Sequence, residues 1–446
     1  MVWSTTLRAM AGGSLLAVAA GIGPSAAQDH DVLRGRLIYA DHEKPVVNVL
    51  DLDTGTVTHT LDVPKANPTL LSAEGGRFVV ARVGDDAGTV KFLDSGLLIE
   101  SHDDHADIEK DEVRMLDLTL IGDKPSHVVS ENGWIGVFYD GQRPWLGRSD
   151  PKLVAVRLDT LDRAEPEVAI WQSPAPQHGI AVPLGGEAWL ISVSNPIYAK
   201  GEDKTATSRP DGFRILDRSQ GWKVVADFND PTDRQHSCKA FHGHASSGNV
   251  HVFGCNADLG GAAASDGGVL VIGKGADGKW DSRKLDYPDA NRTSTIKAAH
   301  GARYMIANYG GQDGRPFDAL LRIDPSAEKL SAADVFKLPE GREVCQFEPT
   351  HGGKGAANLT ADGKLRIYDV EPGWGEAATF DAVAAFDCAW DATTPQPTLA
   401  IVGGSAFVSD PENGRIREYN LNTMKHSGDF AVGGKPARIA GGGNAG

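Results

Sequence analysis

Histidines recur along the chain in similar surroundings, each near the start of a short apolar segment. The stretch Arg234–Asn249, RQHSCKAFHGHASSGN, holds three of the fourteen histidines: His236, His242 and His244. Single histidines occupy the same kind of position elsewhere, and these are His127, His178, His300 and His351. Neutral imidazole is the commonest protein ligand for metals and suits zinc, copper and nickel. Histidines from several such segments, brought to one place, would therefore form a metal site.

The spacing of these histidines indicates a repeat architecture. From His127 to His351 the successive steps are 51, 64, 58 and 51 residues. A strand-like pattern follows each histidine, usually with a turn and a second strand. Repeats of about 40–50 residues with four strands are typical of β-propeller blades. Because the innermost strands of a propeller line its central channel, we expect the histidines to surround one mouth of that channel.

Apolar alternation that runs into an Asp or Asn turn also recurs, as in LDLDTG at Leu50–Gly55. This pattern predicts a hairpin between the two outer strands of each blade. The inner strands are expected to begin near Pro68, His127, His178, His242, His300, His351, Cys388 and Lys435. The predicted fold is an all-β propeller of eight blades, with seven as the alternative. The C-terminal strand is expected to pair with the N-terminal strands, which closes the ring and removes its free edges.

A second cluster of candidate ligands lies in the insertion Leu97–Glu112, within the sequence SHDDHAD. The candidates there are His102, Asp104 and His105. Short tracts rich in His and Asp bind zinc or similar ions, so a mobile loop that captures a metal is predicted. Calcium binding and a merely solvated acidic loop are the alternatives. For the ring histidines, the alternative is a structural role in hydrogen bonding between blades.

The N-terminal residues have the character of an export signal. Arg8 precedes the apolar run GGSLLAVAAGIG, and Ser25-Ala26-Ala27 supplies small residues at a cleavage site. Residues 1–27 are expected to be a signal peptide and residues 28–446 a single periplasmic propeller domain, expected to be monomeric. No other segment has the roughly 20 apolar residues that a membrane span needs. The net charge of −16 argues against nucleic acid or an anionic membrane as a partner.

The four cysteines can pair in three ways in an exported chain. Pairing Cys238 with Cys255 would join two segments of one blade. Pairing Cys345 with Cys388 would join neighbouring blades. Metal-bound thiolates are the alternative, which an oxidising compartment disfavours.

Catalytic motifs such as G-x-S-x-G, H-E-x-x-H, a phosphate loop or C-x-x-C are missing from the sequence. The chain is therefore not expected to be an enzyme.

The chain resembles the AztD family of periplasmic zinc metallochaperones. Three features carry this resemblance: the signal peptide, the run His102-Asp103-Asp104-His105, and blade starts such as Gln177-His178-Gly179 and His242-Gly243-His244. The resemblance covers essentially the whole mature chain. It implies a zinc carrier that delivers its ion to the zinc-binding solute-binding protein of an ABC importer. It also implies one tight site in the propeller and a second in the loop, where the family has a further histidine at the place of Asp107. The candidate ligands are His102, Asp104, His105, His127, His178, His242, His244, His300 and His351.

Two other functions are compatible with the pattern. The first is a copper-dependent propeller oxidoreductase, since nitrous oxide reductase also holds its metal with a ring of histidines on a propeller. The second is a metal-free propeller that binds a protein partner through its long loops. Because metal binding requires neutral imidazole, affinity is expected to fall below a histidine pKa of about 6.5.

Overall fold

The computed structural model describes residues 33–442, except 102–105, 231, 257–265, 312–314 and 390. The strands of the first half are β1 (Arg36–Asp41), β2 (Val46–Asp51), β3 (Thr56–Asp62), β4 (Thr69–Ser72), β5 (Phe78–Arg82), β6 (Val90–Asp94), β7 (Leu97–Ser101), β8 (Ala106–Lys110), β9 (Arg114–Leu120), β10 (Pro125–Glu131), β11 (Trp134–Tyr139), β12 (Lys152–Arg157), β13 (Val168–Gln172), β14 (Ala181–Pro183), β15 (Ala188–Ser192), β16 (Phe213–Asp217) and β17 (Lys223–Phe228).

The strands of the second half complete the series. They are β18 (His244–Ser247), β19 (Val250–Cys255), β20 (Gly268–Lys274), β21 (Trp280–Leu285), β22 (Ile296–Lys297), β23 (Met305–Tyr309), β24 (Ala319–Ile323), β25 (Val335–Lys337), β26 (Val344–Thr350), β27 (Gly355–Thr360), β28 (Lys364–Asp369), β29 (Gly375–Asp381), β30 (Leu399–Val402), β31 (Ser405–Asp410), β32 (Arg415–Asn420), β33 (Lys425–Ala431) and β34 (Pro436–Gly442).

All of these strands except β7 and β8 form eight antiparallel four-stranded sheets, which are the blades of a propeller. Blade 1 has the order β34-β1-β2-β3 and blade 2 the order β4-β5-β6-β9. Blades 3 to 8 each take four consecutive strands, from β10–β13 to β30–β33. The count of eight is as predicted. The predicted closure is also confirmed, because β34 pairs with β1 and thereby completes blade 1.

The hydrophobic core lies between the blades. One buried cluster joins blades 4 and 5 and contains Ile215 and Phe253. Another joins blades 2 and 3, and a third joins blades 1 and 8. The second strands are buried along all or nearly all of their length, as β11 is, whereas outer strands such as β3 combine exposed and half-buried residues. Each blade is therefore held mainly by its two neighbours.

The predicted turns between the third and fourth strands are present. In blade 1 the Asp51 carboxylate accepts hydrogen bonds from the backbone N–H groups of Asp53 and Thr54, at 3.0 and 3.1 Å. In blade 8 Asn420 accepts in the same way from Asn422 and Thr423. Such side chains stabilise a tight turn by replacing a backbone acceptor.

One short helix, α1 (Pro196–Lys200), was not predicted. The Asn195 side chain caps it by accepting from the N–H groups of Ile197 and Tyr198. Asn followed by Pro is the sequence signal that indicates such a start. Short 3₁₀ turns lie at Pro144–Leu146, Leu158–Thr160, Arg218–Gln220, Ala332–Asp334 and His351–Gly353.

Three of the predicted inner-strand starts are wrong. In blade 6 the inner strand is β22, so His300 follows it in the turn that leads to β23. In blade 7 His351 follows β26 in the same way, and in blade 8 β30 begins at Leu399 and not near Cys388. The reason is that MIANY of β23 is a buried second strand with a strong apolar pattern. The two-residue β22 that precedes it has almost no pattern to detect.

The insertion Leu97–Glu112 was predicted as a mobile loop, but its arms are paired strands. Leu97 lies opposite Lys110 and Ser101 opposite Ala106 in the hairpin β7–β8. Lys110 anchors the base of the hairpin on the blade 1 turn, 2.6 Å from the Asp51 carboxylate. Because strands alternate in direction, this hairpin between β6 and β9 emerges at the face opposite the starts of the inner strands. The predicted ligands His102, Asp104 and His105 lie outside the described residues.

Candidate metal centre

Three of the predicted ligands converge at the channel mouth, where the inner strands of blades 3, 4 and 5 begin. One ligand nitrogen from each of His127, His178 and His242 lies within 4.8 Å of the other two. The ring centroids of His127 and His178 are 4.6 Å apart, those of His178 and His242 5.5 Å, and those of His127 and His242 6.0 Å. All three side chains are half-buried. We call these three residues the mouth triad.

Backbone carbonyls fix the ring orientation of two members of the mouth triad. The Nδ1 of His127 lies 2.8 Å from the carbonyl oxygen of Gly179. The Nδ1 of His242 lies 2.6 Å from the carbonyl oxygen of Ser294. A carbonyl oxygen only accepts hydrogen bonds, so Nδ1 must carry the proton in both rings. The Nε2 of each neutral ring is then left with a free lone pair, which is the form that binds a metal.

A buried carboxylate holds the third ring. The Nδ1 of His178 lies 2.9 Å from Oδ2 of Asp140, whose side chain is 3% exposed. The other oxygen of Asp140 accepts from the Ser126 hydroxyl and from the Gly179 N–H. Asp140 therefore connects the start of blade 3 to the start of blade 4 while it orients His178. Carboxylate–histidine pairs of this kind raise the basicity of a metal ligand.

Glycines permit the close approach of these segments. At Gly179 a Cβ atom would overlap the ring of Phe138. Gly243 has a φ of +88°, a conformation that favours glycine. The long loop between β15 and β16 then packs onto the mouth, since the His178 N–H donates to the Ser208 carbonyl at 2.7 Å. This loop therefore lies on the same face of the propeller as the mouth triad.

The surroundings keep two of the imidazoles neutral. Burial, with a smaller contribution from His178, lowers the pKa of His127 to about 4. Burial and the nearby Arg209 guanidinium lower the pKa of His242 to about 3. For these two candidate ligands the competition with protons expected near pH 6.5 is therefore shifted to lower pH.

The other described candidates lie apart from the mouth triad. His244 is the first residue of β18, one layer deeper in the channel, where its ring stacks on Phe253 at 4.9 Å. His300 and His351 are exposed and lie in turns at the opposite ends of their inner strands. The predicted ring of five histidines around one mouth is thus reduced to three.

Sequence reasoning missed the residue that orients the triad. Asp140 directly follows the buried strand β11 and precedes Gly141, which has a φ of +78°. Its position directly after an apolar run was the available signal, but many other strands here also end in Asp. Its partner His178 lies 38 residues further along the chain.

Both cysteine pairs that were considered are disulfides. Cys238–Cys255 closes 17 residues and lies beside the mouth, since Cys255 directly follows Gly254, whose backbone pairs with that of His242. Cys345–Cys388 closes 43 residues and connects the inner strand of blade 7 to the segment that precedes blade 8. No described cysteine remains for a metal thiolate.

Within the described ranges, no helix is long and apolar enough to cross a membrane. A scan against protein-family models finds no match.

Comparison with known proteins gives one consistent result. The curated zinc chaperone AztD of Citrobacter koseri is 31% identical over 425 residues, which cover 94% of this chain and 89% of the relative. The crystal structure of Citrobacter koseri AztD matches with a TM-score of 0.73 and 29% identity, covering 92% of this chain and 98% of that one. A structure of apo AztD from the same organism gives the same TM-score. The relative is named as a chaperone and not as an enzyme, in agreement with the sequence-based expectation.

Proposed function

Because the chain belongs to the AztD zinc chaperone family, we propose that it carries zinc at the mouth triad and releases it to a zinc-binding receptor protein. The observation that carries this proposal is the arrangement of the three rings. All three Nδ1 atoms face oxygen acceptors, so three Nε2 lone pairs remain for one ion. Zinc accepts three imidazoles at about 2.0–2.1 Å and keeps a fourth position for another ligand.

The open fourth position suits a carrier. A structural zinc site has four protein ligands and is closed, whereas three ligands leave room for water or for a group of the receptor. An incoming ligand can then bind zinc before the imidazoles leave. The mouth lies at the surface, with the His178 side chain 28% exposed, so a receptor can reach it.

We further propose that the receptor is the solute-binding protein of an ABC zinc importer and that transfer takes place in the periplasm. The two disulfides support an oxidising compartment. Residues 1–27 are proposed as the signal peptide and residues 28–446 as the mature, monomeric propeller. His102, Asp104 and His105, between β7 and β8, remain a predicted second zinc site.

A transfer assay tests this function. The zinc-loaded mature protein is mixed with a zinc-free solute-binding protein, and the receptor is then separated and its zinc measured. We expect one zinc ion to be transferred per protein molecule. Transfer should persist in the presence of a chelator that is too weak to remove zinc from the loaded protein, because the ion passes directly to the receptor. The variant His127→Ala/His178→Ala/His242→Ala should neither load at the mouth nor deliver that equivalent. Loading with copper and redox turnover would instead favour the oxidoreductase, and unchanged loading of the triple variant would exclude the mouth triad as the carrier site.

A further inference from the structure

A single arginine is held between the segments that carry the second and third rings of the mouth triad. The Ser208 carbonyl accepts from the His178 N–H at 2.7 Å, and the Pro210 carbonyl accepts from the Phe241 N–H at 3.1 Å. Arg209 is the residue between these two contacts. The backbone on both sides of Arg209 is therefore fixed to the mouth, on blade 4 at one end and on blade 5 at the other.

One nitrogen of the Arg209 guanidinium lacks an acceptor. Its Nη1 atom is buried, and no described residue forms a hydrogen bond with it. Burial lowers the pKa of Arg209 to about 10, so the side chain is still charged at neutral pH. Buried polar atoms are normally paired, and an unpaired charged donor is more costly than a neutral one. Because a guanidinium only donates, the missing partner must be an acceptor, and an anionic oxygen is the strongest one.

The charge around the mouth triad also requires an anion once a metal ion is bound. Burial and the nearby Arg209 guanidinium lower the pKa of His242, so a positive charge already lies beside the triad. The carboxylate that contacts the triad, Asp140, has the Lys124 ammonium 3.6 Å away. A zinc ion on three neutral imidazoles adds two positive charges and no negative one. Charges in a partly buried site are stable only when they are paired.

We propose that Arg209 holds a carboxylate at the open position of a zinc ion on the mouth triad. This inference rests on the proposed carrier function. One carboxylate oxygen binds the ion, which accepts such a ligand at about 2.0–2.2 Å, and the other accepts from Nη1 of Arg209. The His178 side chain is 28% exposed, so the carboxylate can enter from the solvent. It comes either from a small anion in solution or from a side chain of the receptor.

The test measures binding of acetate to the metal-loaded protein. The mature protein with His102→Ala/His105→Ala is loaded with one equivalent of Co²⁺ and titrated with sodium acetate at constant ionic strength. We expect a saturable change in the visible bands of Co²⁺, with one acetate per ion. Arg209→Gln should weaken acetate binding by about tenfold or more, because a charge-assisted hydrogen bond is lost. The control Arg214→Gln removes an arginine that pairs with Asp227 on the outer strands of blade 4, and it should leave acetate binding unchanged.

Zinc affinity in acetate-free buffer provides a second readout, measured by chelator competition. A cation beside the site opposes the binding of zinc, so Arg209→Gln should bind zinc about threefold more tightly than the wild type. Loss of a merely structural residue would not tighten binding. Circular dichroism checks that the variant is folded. If it is not, Arg209→Lys decides, because lysine keeps the charge but not the planar donors and should weaken acetate binding by about threefold at unchanged zinc affinity.

The outcomes separate this inference from the carrier function. Equal acetate binding by the wild type and Arg209→Gln would overturn the role of Arg209, as would zinc binding by the folded variant that is no tighter. A protein that loads no metal at the mouth triad would reject the carrier function and this inference with it. Normal loading without any effect of acetate would reject only the inference.

The transfer assay identifies the source of the carboxylate. A carboxylate side chain of the receptor must compete with acetate for the same position, so saturating acetate should then slow the transfer of zinc. An unchanged transfer rate would assign the carboxylate to a small anion in solution. Both results are compatible with the position held by Arg209.

Discussion

The same His-Gly dipeptide occurs in two different settings in the molecule. One is the mouth formed by blades 3 to 5, and the other is the opposite face, in blades 6 and 7. At the mouth, His178 and His242 are half-buried, and an acceptor fixes the Nδ1 of each ring. At the opposite face, His300 and His351 are exposed in turns. The difference teaches that a candidate metal ligand needs neighbouring rings as well as a partner for its second nitrogen, because the Nδ1 of His351 also has a partner, the Thr350 hydroxyl at 3.2 Å. The residue type and its spacing do not suffice.

The largest expected effect on zinc affinity comes from removing one imidazole ring of the mouth triad, compared with removing one on the opposite face. His178→Ala should weaken zinc binding at the mouth by roughly a hundredfold or more, because two imidazoles cannot replace three. The matched change His351→Ala should leave the affinity within about twofold. Competition with a fluorescent chelator measures both, in a His102→Ala/His105→Ala background. Equal losses in the two variants would show that the opposite face belongs to the same site.

The next effect concerns the carboxylate behind His178. Asp140→Asn keeps the shape of the side chain but removes the charge that orients and polarises the ring. We expect a loss in zinc affinity of about tenfold. Asp94→Asn is the matched control, because Asp94 is also a buried carboxylate but pairs with Arg77 in blade 2. If Asp94→Asn reduced the zinc affinity as much as Asp140→Asn, the loss would reflect lower stability of the fold and not the contact of Asp140 with His178.

The pH dependence should also distinguish the two faces. A lowered pKa means that the folded protein keeps His127 and His242 neutral while the pH falls from 6 to 5. Zinc binding at the mouth should then displace at most about one proton, so the affinity falls by no more than about tenfold per pH unit. Three exposed histidines would each be largely protonated at pH 5 and would give a slope near three. Zinc titrations at several pH values measure this slope, and a value near three would contradict the buried triad.

The smallest effect on zinc affinity should come from removing the disulfides. Cys238→Ser/Cys255→Ser frees the segment that carries His242, so we expect a loss in affinity of about threefold together with lower stability. Cys345→Ser/Cys388→Ser should lower the thermal midpoint but leave zinc affinity unchanged, because this bridge lies in blade 7 and the segment after it. Calorimetry and zinc titration of the two pairs provide the comparison. A larger loss in zinc affinity from Cys345→Ser/Cys388→Ser would argue that the mouth triad is coupled to distant blades around the whole ring.

The sequence was sufficient for the propeller because its blades repeat the same local signals. Asp51 and Asn420 show the turn chemistry that marks the outer hairpins, and His127, His178 and His242 recur about one blade apart, at steps of 51 and 64 residues. The sequence was insufficient for blades 6 to 8, where β22 has only two residues and the buried β23 supplied the stronger pattern. A shift by one strand moved His300 to the wrong face of the molecule.

The site was predictable in its residue types but not in its membership. His127, His178 and His242 were among nine candidates, and nothing local separates them from His300 and His351. Their selection depends on Asp140 and on the carbonyls of Gly179 and Ser294, which are contacts between blades.

The pairing of β34 with β1 has a consequence for the order in which the molecule forms. Ile38 lies opposite Ala440, so this contact closes a loop of some 400 residues, at an entropic cost of roughly 5 kcal/mol. During synthesis β1 therefore presents an unpaired edge until the last strand has been made, and an unpaired edge can join other chains. Blades 3 to 5, by contrast, are contiguous in the sequence. The mouth triad can thus assemble while the ring is still open, so capture of a metal ion can precede completion of the fold.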